Sequence, residues 1–291
     1  RSTSLINTAI SMVCYTDLYK TEFGGRQNPQ FRYHLGFESL LKIDAEFVVY
    51  TWNKDIDKLY NIAKSKYGSD STRLNRVHII EFDLYKSPLY DQIVNIRKKE
   101  PKKSFRSIDV QYAKFITLND TIKNFSHEYT YYIDIGLSST ALFPNKYITN
   151  KKGMYQYSEV SLFNNKWLNN VNELSSNGKV TVFKMDNSPE FHVESRIVRS
   201  KYLIIGGMFG GKTEQTQKFS NDVLSEFDQY VKEKNKLPLE ESIMTKIHTE
   251  NRDNFNDISF QVWNHEDSGE VFQRMIRGKK MFYNTFEELN Q

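Results

Sequence analysis

The sequence predicts an α/β protein built on a mainly parallel sheet with helices on both faces. Two observations carry that expectation. Apolar, β-rich runs alternate with helix-like segments from residue 8 to residue 136, and strand–helix–strand order is how a chain builds parallel pairs through helical crossovers. One of those runs, "YYIDIG", stops at an aspartate, and open α/β sheets bind ligands outside the carboxyl ends of their strands.

The elements follow in order. "TAISMVCY" (8–15) reads as a buried first strand that ends at the polar "TDLYK". "NPQFRYHLGFESLLKID" places Phe31, Leu35, Leu40 and Leu41 near helical spacing. "EFVVYTW" (46–52) is a second strand, "DIDKLYNIAKSKYG" a helix closed by glycine, and "VHIIEF" (77–82) a third strand. "SIDVQYAKFITLNDTIKNF" (107–125) is helical, and "YTYYIDIG" (129–136) is the strand that ends in Asp134. Residues 150–200 are less regular, with strand-like "KVTVFKM" after an Asn-rich stretch. No internal repeat or low-complexity linker divides the chain, so one domain over 5–291 is expected, with "RSTS" (1–4) read as a cloning remnant.

Composition narrows the class. The 291 residues are 26% charged and 38% apolar, a balance that excludes a disordered chain. There is no apolar run long enough for a transmembrane helix and no signal-peptide pattern. A single cysteine, Cys14, rules out an internal disulfide and any Cys-based zinc site, and fits a reducing cytoplasm. Net charge is only +4, but six basic residues crowd between Arg97 and Arg106 and four between Arg274 and Lys280. Such runs are either a solvated face or a grip on a polyanion: a nucleotide diphosphate, an anionic glycan, a membrane surface or DNA.

"LIIGGMFGGKTE" (203–214) fits the phosphate-loop pattern through Gly206, Gly211, Lys212 and Thr213. Its context argues otherwise. Too little chain follows it to supply the strand and aspartate that hold magnesium in such enzymes, and "ISFQVW" ends in Asn264. The alternatives are a tight strand-to-helix turn with glycines at positive φ, or a glycine platform that lets a substrate approach the backbone. Asp134 can coordinate a divalent cation, bind ribose hydroxyls, or simply form the turn. Glu240 and Glu241 open a helix over Ile243, Met244 and Ile247. The helix dipole favours them there, and a carboxylate in that place can also act as a general base.

In order and distance, "YYIDIGL", "SKYLIIGGMFGGKTE" and "LEESIMTKIH" resemble the HtrL/YibB–WlaTC family, and "FRYHLGFESLLKIDAEFVVYTW" resembles that family's first helix and second strand. The likeness covers about residues 8–265. It implies a glycosyltransferase of the GT-A type, a Rossmann-like sheet that binds a nucleotide sugar, associated with lipopolysaccharide biosynthesis. It also implies a nucleotide-sugar half over about 5–150 and an acceptor half over about 151–291.

Position by position, Asp134 resembles the acidic motif facing the diphosphate. The motif here is D-x-G with Gly136, one carboxylate where D-x-D has two. A divalent cation, Mn2+ or Mg2+, is expected there, with His265 as a late ligand or a structural histidine. Gly206, Gly207, Gly210 and Gly211 match the glycine turn beside donor sugar or acceptor. Glu240 and Glu241 match the acidic pair, with Glu241 in the catalytic position. Thr16, Asp17, Thr51 and Trp52, after the first two strands, are expected beside a uracil-type base and ribose, and Arg106 and Lys114 beside the diphosphate.

The expected activity is transfer of a sugar from a UDP-type donor to a hydroxyl of lipopolysaccharide or another surface glycan. The basic runs keep two alternatives open: DNA modification by a phage-type glycosyltransferase acting on hydroxylated bases, and a nucleotide- or nucleic-acid-binding module that is no enzyme.

Overall fold

A computed structural model describes residues 6–15, 29–99, 108–125, 127–135, 148–149, 155–156, 164–186, 197–198 and 200–261. The expected α/β architecture is present. Among the described residues seven strands form one sheet: β1 (Thr8–Cys14), β2 (Glu46–Thr51), β3 (Val77–Glu81), β4 (Tyr129–Ile133), β7 (Val180–Asp186), β8 (Tyr202–Lys212) and β9 (Phe255–Gln261). Between β4 and β7, β5 (Ile148–Thr149) and β6 (Tyr155–Gln156) form a separate two-stranded ribbon. The order across the sheet is β3-β2-β1-β4-β8-β7-β9. Strands β3, β2, β1 and β4 pair in parallel, β8 is antiparallel to both β4 and β7, and β9 is parallel to β7.

Strands β1, β2 and β4 are buried on both faces, which is why they read as continuous apolar runs rather than alternating ones. Along β1, Ile10, Met12 and Cys14 face one core and Val13 faces the other. The first core packs against α1 (Pro29–Leu40), α2 (Asn53–Tyr67) and α6 (Asn165–Ser175). The second packs against α4 (Tyr90–Lys99), α5 (Ile108–Asn124), α7 (Thr213–Lys234) and α8 (Glu240–Glu250). The short α3 (Ser71–Leu74) starts where Asp70 accepts a hydrogen bond from the Arg73 amide. Gly68 ends α2 at φ 57°, as its place in the sequence predicts.

Two elements differ from expectation. The Asn-rich stretch holds α6, begun by Asn164, whose side chain accepts from the Trp167 amide, while Trp167, Leu168 and Val171 fill the core. The apolar run at 202–205 does not end in a turn. It continues through all the glycines to Lys212, and α7 starts directly at Thr213.

Candidate functional site

The sheet has a topological switch point. From β1 the chain steps outward to β2 and β3, then returns to place β4 on the other side of β1. Strand order reverses between β1 and β4, and the crevice outside the carboxyl ends at such a switch point is the binding place of open α/β sheets. Asp134 follows β4 there.

Charged residues from three separate stretches of the sequence meet at this point: Lys114, Asp134 and the pair Glu240–Glu241. Lys114, buried in the middle of α5, donates from Nζ to the Gly206 carbonyl and to Glu240 Oε1, both at 3.1 Å. Asp134 Oδ1 lies 3.4 Å from the same ammonium and accepts a 2.7 Å hydrogen bond from the Tyr132 hydroxyl. The Glu240 side chain is 5% exposed and that of Asp134 40%, so one carboxylate is interior and the other reaches solvent. Glu241 is next along α8, and its Oε1 accepts a long, 3.4 Å bond from the Gly206 amide. The ring of Tyr132 lies under the ammonium, 5.3 Å from its centroid.

An irregularity in β8 makes this meeting possible. Opposite β7 the register jumps between Val182, paired with Phe209, and Phe183, paired with Ile205, so residues 206–208 bulge out of the ladder. Bulges re-aim groups near functional sites, and this one turns the Gly206 carbonyl toward Lys114. On the other side Gly207 accepts from the Asp134 amide at 2.8 Å. A Cβ on Gly206 would lie 2.7 Å from Glu240 Oε1 and 3.1 Å from Lys114 Nζ. Glycine is there to leave room for the ion pair.

The other glycines are placed differently. A Cβ on Gly210 would stand 2.3 Å from the Thr130 carbonyl oxygen, and one on Gly211 2.9 Å from that of Lys179. The expected sugar platform at Gly210 and Gly211 is therefore corrected: these two lie inside the sheet, where neighbouring backbone fills the space a ligand would need. The phosphate-loop pattern fails on the same ground. Its amides belong to a strand paired with β4 and β7, and the Thr213 hydroxyl is spent on the His127 carbonyl at 2.7 Å.

Trp52, expected beside a base, follows β2 at the start of α2. It stacks on Tyr85 (centroids 5.4 Å, planes 29° apart) and meets the edge of Tyr15 at 4.9 Å. Tyr85 is 58% exposed and also meets the ring of Tyr90 at 5.1 Å, so the carboxyl ends of β1 to β3 carry an aromatic cluster that reaches solvent. Thr51 is corrected: it is fully buried, and its hydroxyl donates to the Cys14 carbonyl at 2.6 Å. It ties β2 to β1 and presents nothing to a ligand. Thr16, Asp17, Arg106, Gly136 and His265 lie outside the described residues. Tyr132, Tyr15 and Tyr85 were not foreseen; for Tyr15 and Tyr85 the available signal was an aromatic residue at or just past a strand end.

The implied divalent cation can be set against this donor set. Among the described residues no three His, Cys, Asp or Glu side chains gather so as to hold a metal ion. The described groups do not fit one at Asp134, because an ammonium already stands 3.4 Å from Oδ1 and a second cation would be placed against it. Set against known proteins, the chain matches no family model and no curated sequence. Among the described residues no helix is long and apolar enough to cross a membrane.

Proposed function

We propose that the chain is a glycosyltransferase that moves a sugar from a nucleotide-diphosphate donor, UDP-type by preference, to a hydroxyl acceptor. One observation carries the reading. Asp134 and Glu240 meet at Lys114, with Glu241 on the Gly206 amide, at the switch point of a sheet whose strands β1 to β3 carry aromatic rings at their carboxyl ends. Proximity of carboxylates to a flat binding face is what such a transfer needs, since a nucleobase stacks on aromatic rings and hydroxyls donate to carboxylates.

In this reaction the acceptor oxygen bonds to the anomeric carbon as the bond from that carbon to the diphosphate oxygen breaks. The hydroxyl proton passes to a carboxylate. Glu241, at the start of α8 and only partly buried, is assigned as that base, and solvent-reaching Asp134 as the acceptor of a sugar hydroxyl. The growing charge on the departing diphosphate calls for cationic side chains; Arg106, expected in that role from the sequence, lies outside the described residues. The default acceptor is a surface glycan.

The test is nucleoside diphosphate release from a panel of nucleotide sugars with added glycan acceptors. Release is expected with a UDP-sugar, and Asp134→Asn should lower it by about 100-fold or more with an unchanged melting temperature. A panel in which no nucleotide sugar binds or turns over removes the proposal, and a fully active Asp134→Asn removes the site assignment.

A further inference from the structure

The cation that these carboxylates share is already part of the chain. An ammonium has three N–H donors, and among the described residues three acceptors from three separate elements stand within 3.4 Å of Lys114 Nζ. They are the Gly206 carbonyl of β8, Glu240 Oε1 of α8 and Asp134 Oδ1 beyond β4. The lysine side chain is 8% exposed. Buried ion pairs return little more than their desolvation costs, so fold stability does not account for the arrangement. A second observation points the same way. At Gly206 the chain leaves out a side chain that would collide with both Glu240 and Lys114, and the bulge at 206–208 delivers the carbonyl that completes the set.

We propose that Lys114 is the resident cation of the site. It occupies the place where a divalent metal would bridge Asp134 and Glu240, and it acts as a positioning residue. With Oδ1 held by Lys114 and Tyr132, the Asp134 carboxylate is fixed for one substrate hydroxyl, and no added metal is needed to assemble the site. The glycosyltransferase reading supplies only the identity of that substrate.

Removal of the lysine leaves two carboxylates and a carbonyl, an all-oxygen set of the kind hard divalent cations take. This gives a test independent of turnover: Mn2+ binding to the full chain, followed by calorimetry and by the paramagnetic signal of free Mn2+. Wild type should bind Mn2+ no more tightly than Asp134→Asn. Lys114→Ala should gain a site about 10-fold tighter or better, lost again in Lys114→Ala/Asp134→Asn, and Mn2+ should raise the melting temperature of Lys114→Ala only. Any transferase activity of the wild type should survive EDTA. In Lys114→Ala kcat should fall with little change in donor KM, and Mn2+ should restore part of it.

A wild-type Mn2+ site that Asp134→Asn abolishes overturns the inference, as does a folded Lys114→Ala that gains no Mn2+. If Lys114→Ala does not fold, the comparison of wild type with Asp134→Asn decides alone. Failure of every nucleotide sugar, with these Mn2+ results intact, would remove the glycosyltransferase reading and leave the lysine in its place.

Discussion

Gly206 and Gly210 share a strand and are glycine for different reasons, which makes them a matched pair for experiment. At Gly206 a methyl group would press on the ends of two flexible side chains, Glu240 and Lys114. The carboxylate can swing aside, so Gly206→Ala should cost only about 1–2 kcal/mol while disrupting the ion pair and most of the transfer activity. At Gly210 the obstruction is the β4 backbone, and φ is 147°. Gly210→Ala should cost about 3 kcal/mol or more and lose activity only as it unfolds. Urea denaturation with nucleoside diphosphate release on each variant separates the two, and a Gly210→Ala as stable as wild type would contradict the contact. At this scale the carboxylates of the candidate site were legible: Asp134 because it ends an apolar strand, Glu240 and Glu241 because they open a helix. Lys114 was expected beside the diphosphate, not between Asp134 and Glu240. The reach of Tyr132 to Asp134 was not legible, since any tyrosine of "YTYYI" reads equally well as core.

Strand β8 shows why elements were harder to read than residues. Glycine has weak strand propensity, so "GGMFGG" suggests a turn. Pairing on both sides, with β4 and with β7, overrides that preference. The strand also carries Phe209, which stacks on Phe115 at 5.1 Å and on Tyr132 at 5.2 Å and meets the edge of Phe219 at 5.7 Å. Phe209→Ala should therefore cost about 3–5 kcal/mol. It should also release Tyr132 and with it Asp134, so activity per folded molecule falls as well. Trp167→Ala, a change of similar size in the opposite core, should lower stability alike and leave that activity intact. Equal specific activities of the two folded variants would disprove the link. Helix α6 was hidden by its asparagines, although Trp167, Leu168 and Val171 carry helical spacing in plain view.

For the whole molecule, ionisable groups set the acid limit. Burial, with Lys58 nearby, pushes His34 down from 6.5 to about 4. The unfolded chain therefore takes up that proton first, and stability falls as pH drops from 6.5 toward 4. Burial raises Glu46, but hydrogen bonds with His127 and His78 outweigh it and hold the carboxyl below 4.5. Its contribution is complete above 4.5 and is lost as pH falls through the lowered value. Asp44, beside Arg73, and Asp257, beside His248, act in the same direction. His34→Gln should flatten the stability curve between pH 6.5 and 4, and Glu46→Gln should flatten it only below about 4.5; stability curves that keep the wild-type slope would refute both. The acceptor is also a question for the whole surface. DNA binding through Lys98, Lys99, Lys102 and Lys103 would show a log–log salt slope of about −0.9 per phosphate contact. The glycan acceptor predicts a flat curve, and a steep one abolished by reversing these four lysines to glutamate would replace it with DNA.

Because β8 lies between β4 and β7 in the sheet, the order of synthesis matters. Strands β1 to β4 leave the ribosome well before Tyr202 does, and the apolar "YTYYI" of β4 then has β1 on one side and nothing on the other. At roughly 5–20 residues per second that interval lasts on the order of several seconds, long enough for an open strand to seek a partner on another nascent chain. Yield in cells should thus depend on holding chaperones during that window more than on the stability of the finished protein.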